Sequence, residues 1–154
     1  MNIADDRLAD RFELAELRAR YNHYYDSGQI AEFVALFADD AECEMGPGNV
    51  VVGVEAVRRA AERASQFTAE PDDFVRHVCD LGVSEFVDES NATRRSHVLL
   101  HIGRQFNVVA AGTYHDRYVR VGGEWKFASR RVQFEYFGDD GIPWPPRPGE
   151  ASMA

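Results

Sequence analysis

Basic residues, cysteines and long apolar runs are all scarce in this chain, and each shortage closes off a class of function. Lys and Arg number 17 against 26 Asp and Glu, a formal net charge of −9. A phosphate backbone is held by clustered cations. Arg94-Arg95 and Arg130-Arg131 are short pairs rather than a basic stripe, so nucleic acid is not an expected partner. Cys43 and Cys79 are the 2 cysteines, too few for a disulfide framework or a cysteine-only zinc site; both read as buried thiols. No apolar run approaches the ~20 residues of a membrane span. The opening residues MNIADDRLADR lack a basic segment followed by an apolar one. No secretory signal is therefore expected, and a cytoplasmic location is the default. There is no glycine-rich phosphate loop and no G-x-S-x-G elbow, so neither a nucleotide cofactor nor a serine nucleophile is expected.

What the chain does have is aromatic side chains: 10 Phe, 6 Tyr and 2 Trp in 154 residues. The length suits one domain and a core that needs no staples. A single domain over 1–154 is expected, with 1–4 and 147–154 as flexible or oligomer-contacting tails. RYNHYYDSG, residues 20–28, packs three tyrosines, a histidine and an aspartate into one short stretch.

Asp5 or Asp6 is positioned to cap a first helix. Leu8, Phe12 and Ala15, and separately Leu14, Leu17, Tyr21 and Tyr25, recur at helical spacing, and Gly28 is a natural C-terminal breaker. A short second helix carries Phe33, Val34 and Phe37 on one side and ends at ADDA. AECEM alternates as a first strand, GPGN is a turn and VVVG a brief strand. VEAVRRAAERASQF is a third helix, and TAEPDD a loop. Residues 74–87, 93–106, 108–121 and 124–137 are four β-rich stretches. Joints as short as DESN, Asn107 and Gly122-Gly123 make an antiparallel meander. The tail GIPWPPRPGEASMA is neither helix nor central strand; Ile142 and Trp144 are expected to pack it. Helices followed by a long curved sheet give an α+β fold, a cone with a deep pocket for a small ligand.

Strand alternation puts His77 on one face with Val75, Cys79, Leu81 and Val83, and Arg76, Asp80 and Ser84 on the other. A lone histidine on an apolar face is most simply a satisfied core residue, but its ring N–H still needs a partner. Asp26, at the end of the helix that covers this sheet, is the best-placed carboxylate. An unperturbed imidazole titrates at roughly 6.5, close to operating pH, and a carboxylate behind it fixes its tautomer and stabilises the imidazolium. It can take a proton from one atom and return it to another without a metal or cofactor. His97 and His101 form H-x-x-x-H, a metal spacing on a helix. On a strand the two lie about 13 Å apart, too far to clasp one ion. His23 and His115 read as surface or interface residues. Tyr21 and Asp26 differ by about 140° around a helix, so periodicity alone does not bring Tyr21 to the site. One of Arg130 and Arg131 faces inward as a buried cation, paired or functional; alternation does not choose between them.

AELRARYNHYYDSGQIAEFVALFADDAE, GVEAVR, RHVCDLGV and AGTYHDRYVRVGGEWKFASR, in this order and spacing, resemble the SnoaL-like branch of the NTF2-like superfamily over about residues 8–137. The resemblance implies a conical α+β barrel with a deep pocket. It is nearest to cofactor-free lyases of the scytalone dehydratase, bile-acid 7α-dehydratase and hexachlorocyclohexane dehydrochlorinase type. Asp26 and His77 match their aspartate–histidine pattern. Tyr21 matches a dehydratase tyrosine, and Arg130 a dehydrochlorinase arginine after W-K-F. A second dehydratase histidine has no certain counterpart, with His97 and His101 the nearby candidates. What the resemblance implies is elimination from a small apolar, cyclic or aromatic substrate. Asp26, His77, Tyr21 and Arg130 would be catalytic, and Tyr25, Phe37, His101 and Tyr114 would line the substrate site. The GI…PP tail implies a homo-oligomer, a trimer rather than a dimer. Isomerase or cyclase chemistry and a non-catalytic binding module are the alternatives within the same superfamily.

Overall fold

Ten elements follow one another in the computed structural model, which describes residues 7–65, 75–102 and 107–137. They are α1 (Leu8–Asp26), α2 (Ile30–Val34), β1 (Phe37–Glu44), β2 (Val50–Val52), α3 (Val54–Ser65), β3 (Val75–Cys79), β4 (Val83–Phe86), β5 (Asn91–Ile102), β6 (Asn107–Val121) and β7 (Glu124–Phe137). The strands form one curved sheet in the order β2-β1-β7-β6-β5-β3, with β4 also paired to β5. All pairs are antiparallel except β1 with β7. The architecture is the expected α+β cone, with a meander of β5, β6 and β7 at its centre. Expectations for the 68–73 loop, the proline-rich tail and the chain ends lie outside the described residues.

The buried face of α1 is Leu14, Leu17, Arg18 and Tyr21, a helical i, i+3, i+4, i+7 stripe. The other spacing, Leu8 and Phe12, points outward, with the two 70% and 67% exposed. Arg7 precedes the helix without a side-chain cap, and Asp5 and Asp6 lie outside the described residues. At the other end Gly28, at φ 70°, takes the left-handed turn that Cβ disfavours. Its N–H and that of Gln29 donate to the Tyr25 and Tyr24 carbonyls.

Three local expectations are corrected. Helix α2 stops at Val34, and ADDA is strand rather than helix end. Phe37 pairs with Phe127, and the Phe127 N–H donates to the Leu36 carbonyl at 2.9 Å, so ladder pairing overrides the helical spacing. The 74–87 stretch is two strands. From Cys79↔Val98 to Val83↔Arg95 this edge advances four residues while β5 advances three. The extra residue is a bulge that inverts the alternation. Ser84 is consequently buried, while Leu81 and Val83 are exposed rather than sharing the face of His77. Of the two thiols only Cys43 is fully buried; Cys79 is half-exposed.

The core lies where α1, α2 and α3 meet the sheet. Phe33, Phe37, Tyr118 and Phe127 interlock there, with ring centroids 5.0–5.3 Å apart in successive contacts. Val57, Ala60 and Ala61 of α3 pack into the same cluster. This packing fixes where the end of α1 meets β3.

Candidate functional site

Helix α1 ends against the edge strand β3, and its last two turns take up both free main-chain groups of His77. Asp26 Oδ2 accepts the His77 N–H at 2.8 Å. One turn earlier, Asn22 Nδ2 donates to the His77 carbonyl at 3.3 Å and to Cys79 Sγ at 3.4 Å. An edge strand exposes such groups unless something covers them; here the helix does. The second carboxylate oxygen, Asp26 Oδ1, lies 2.5 Å from His77 Nδ1. Both side chains are buried, 7% and 8% exposed.

This geometry selects a tautomer. A carboxylate only accepts, so Nδ1 carries the hydrogen and donates it. The remaining ring nitrogen, Nε2, then carries no hydrogen and is an acceptor. The Tyr25 ring meets the imidazole edge-on, with centroids 5.4 Å apart and planes at 86°.

His77 lines a cavity whose walls include Tyr21, Tyr25, Leu100, Tyr114 and Phe134, with Glu44, Met45 and Gly46 along one side. As closed in this structure its volume is only about 30 Å³, room for one or two waters. Glu44 is held by the main chain, accepting the Gly48 N–H at 2.8 Å and the Val132 N–H at 3.1 Å. Burial raises the tyrosines well above the usual phenol range, and Arg130 only partly offsets this for Tyr21 and Tyr114. They are hydrogen-bond donors at neutral pH, not bases. Burial likewise pushes the Cys43 thiol up to about 12, which leaves it inert.

Of the residues expected from the sequence, Asp26, His77, Tyr21, Tyr25 and Tyr114 come together here. Three do not reach the cavity. Arg130 is fully buried behind it, its guanidinium carbon 4.0 Å from the ring centroids of both Tyr21 and Tyr114. It donates from Nε and Nη2 to Asp116 at 2.8 and 2.7 Å. Phe37 sits in the core, its ring 6.0 Å from that of Tyr21. His101 pairs with Arg76, one residue on from the inward pair His77 and Leu100, and so lies on the outward face. His97 shares that face, bonded to Asp80 at 2.7 Å, and His23 and His115 are exposed. Among the described residues no cluster of three or more His, Cys, Asp or Glu is arranged to hold a metal ion. None of the helices described is long and apolar enough to cross a membrane.

Sequence reasoning missed Asn22, Glu44 and Asp116. Asn22 carried a usable signal, since it stands four residues before Asp26 on the same side of the helix. Asp116 carried none, because its pairing with Arg130 depends on the β6–β7 register.

Solved structures of the same fold include a candidate scytalone dehydratase from Novosphingobium aromaticivorans. It is 24% identical over 95% of this chain and 97% of that one, with a TM-score of 0.76. A hexachlorocyclohexane dehydrochlorinase, LinA type 2, is 25% identical over 94% and 97%, with a TM-score of 0.74. A protein of unknown function from Mycobacterium tuberculosis is 24% identical over 88% and 77%, with a TM-score of 0.76. No curated protein matches the chain by sequence. The SnoaL-like domain family matches residues 6–131, and on that span the chain belongs to the SnoaL-like family.

Proposed function

We propose that this protein is a cofactor-independent lyase, a dehydratase or related β-elimination enzyme acting on a small, largely apolar ring substrate. The observation that carries the reading is the His77 Nδ1–Asp26 Oδ1 contact of 2.5 Å, buried and lining an aromatic cavity. His77 Nε2 takes a proton from a substrate carbon. The C–H electron pair becomes the new double bond, and the leaving group departs with the electrons of its own bond. Asp26 stabilises the imidazolium formed. Tyr21 and Tyr114 donate hydrogen bonds to developing negative charge. Arg130 acts through these two rings rather than on the substrate.

Similarity to the dehydrochlorinase, and the shared fold of the candidate dehydratase, agree with this reading. The test is a screen of cyclic alcohols and halides for loss of water or halide. Release by the wild type, and its collapse in His77→Ala, is the expected result. A product of unchanged mass points instead to isomerisation with the same base. A folded protein that turns over none of them counts against catalysis.

The reading carries a homo-oligomer, a trimer rather than a dimer. Val78, Leu99, Ala111 and Tyr136 are opposite one another across the outer sheet face. Val78, Leu99 and Tyr136 are 41–49% exposed, a row that a second copy would cover. Light scattering that returns a monomer mass overturns this part.

A further inference from the structure

Below the cavity the cone buries charge that it does not neutralise. Arg94, Asp116 and Arg130 are directly opposite one another on β5, β6 and β7, and Arg18 reaches in from α1. Arg18, Arg94 and Arg130 are 7%, 4% and 0% exposed. Asp116, its side chain fully buried, has both oxygens already engaged by Arg130, with Tyr118 also donating to Oδ2. Arg94 spends Nη2 on the Leu81 carbonyl.

Several of the other donors here have no partner. Arg18 Nε and Nη1, Arg94 Nε and Nη1, Arg130 Nη1 and Ser96 Oγ are all buried without a hydrogen bond. Buried guanidinium groups are normally paired, because an unpaired charge in the interior is costly. Burial, with Arg18 adding its own positive charge, lowers the Arg94 pKa. Asp80, the other carboxylate whose charge bears on Arg94, is half-exposed and bonded to His97. The site is also walled. A Cβ on Gly82 would lie 3.0 Å from Arg94 Nε and 2.8 Å from Ser96 Cβ, so the Gly82 backbone is pressed against these two side chains. One register step above, Ser96 is opposite Tyr114, a wall of the cavity.

We propose that Arg18, Arg94, Arg130 and Ser96 form a binding site for a carboxylate group, carried either by a free small acid or by the molecule in the cavity. Guanidinium forks match the planar, two-oxygen geometry of a carboxylate, and the hydroxyl of Ser96 adds a neutral donor. The site goes beyond the elimination chemistry and does not depend on it.

The test is thermal unfolding of the full chain as chloride is replaced by acetate or by benzoate at constant ionic strength. A ligand that binds the folded state raises the midpoint, and a rise of about 4 °C or more is expected. The rise disappears in Arg94→Met and in Arg18→Met and persists in Arg95→Met, whose arginine is exposed on the opposite face. Either methionine variant suffices if the other does not fold. A larger rise with benzoate than with acetate assigns the carboxylate to a cavity ligand; equal rises assign it to a free acid. No rise, or one that survives in both methionine variants, overturns the proposal. Asp26→Asn retains the response, so failure of the lyase reading and failure of this one are distinguishable.

Discussion

The protein contains two His–Asp pairs built to the same local plan, one inside and one outside. In each, a carboxylate accepts the main-chain N–H of a strand histidine with one oxygen and faces its Nδ1 with the other. For His77–Asp26 the distances are 2.8 and 2.5 Å; for His97–Asp80 they are 3.0 and 2.7 Å. The inner pair is 7% and 8% exposed and lines the cavity, whereas the outer is 76% and 45% exposed. Local geometry therefore does not distinguish the two pairs. What differs is the surroundings. Water competes for every bond of the outer pair and screens its charges. The inner pair is packed against Tyr25 and presents one ring nitrogen to an aromatic cavity.

Mutations at matching positions sharpen this contrast. The largest effect is expected at the inner pair: Asp26→Asn lowers turnover by a factor on the order of 10²–10⁴, read from steady-state rates on a substrate found by the halide and alcohol screen. Asp116→Ala extends the contrast to a fully buried ion pair behind the cavity. It strands Arg130 and costs about 3–5 kcal/mol of stability, read from urea unfolding. Gly82→Ala tests the joint between the two faces. The residue sits at φ +71°, and a Cβ would lie 2.5 Å from the Arg95 carbonyl oxygen, so a loss of roughly 1–3 kcal/mol is expected in the same assay. The smallest effect is at the outer pair, where Asp80→Asn changes stability by less than about 1 kcal/mol.

Much of the cone was legible because periodic patterns report burial. The meander, the C-terminal stop at Gly28 and the inward aim of His77 all followed from spacing. Arg18 was equally legible in principle, since it stands at the i+4 position of the Leu14 stripe, but a charged residue there reads as solvated until its neighbours are known. The errors occur where register rather than pattern decides. ADDA became strand because Phe37 pairs with Phe127. The extra residue before β4 turned Ser84 inward and Leu81 and Val83 outward. The Asp116–Arg130 pair depends on two long strands meeting in one alignment, information that no single segment holds. Phe37 and His101 missed the cavity for related reasons: one is a layer too deep, the other one residue out of phase.

In the proposed mechanism, burial against a cavity makes the inner histidine–aspartate pair a base while its outer counterpart remains a surface contact. The most direct measurement is a side-by-side turnover rate for wild type, Asp26→Asn and Asp80→Asn on one eliminating substrate, with circular dichroism confirming that all three are folded. A loss of at least about 100-fold in Asp26→Asn and a wild-type rate in Asp80→Asn are expected. Near-normal turnover in Asp26→Asn, or an equal loss in both, would contradict that mechanism.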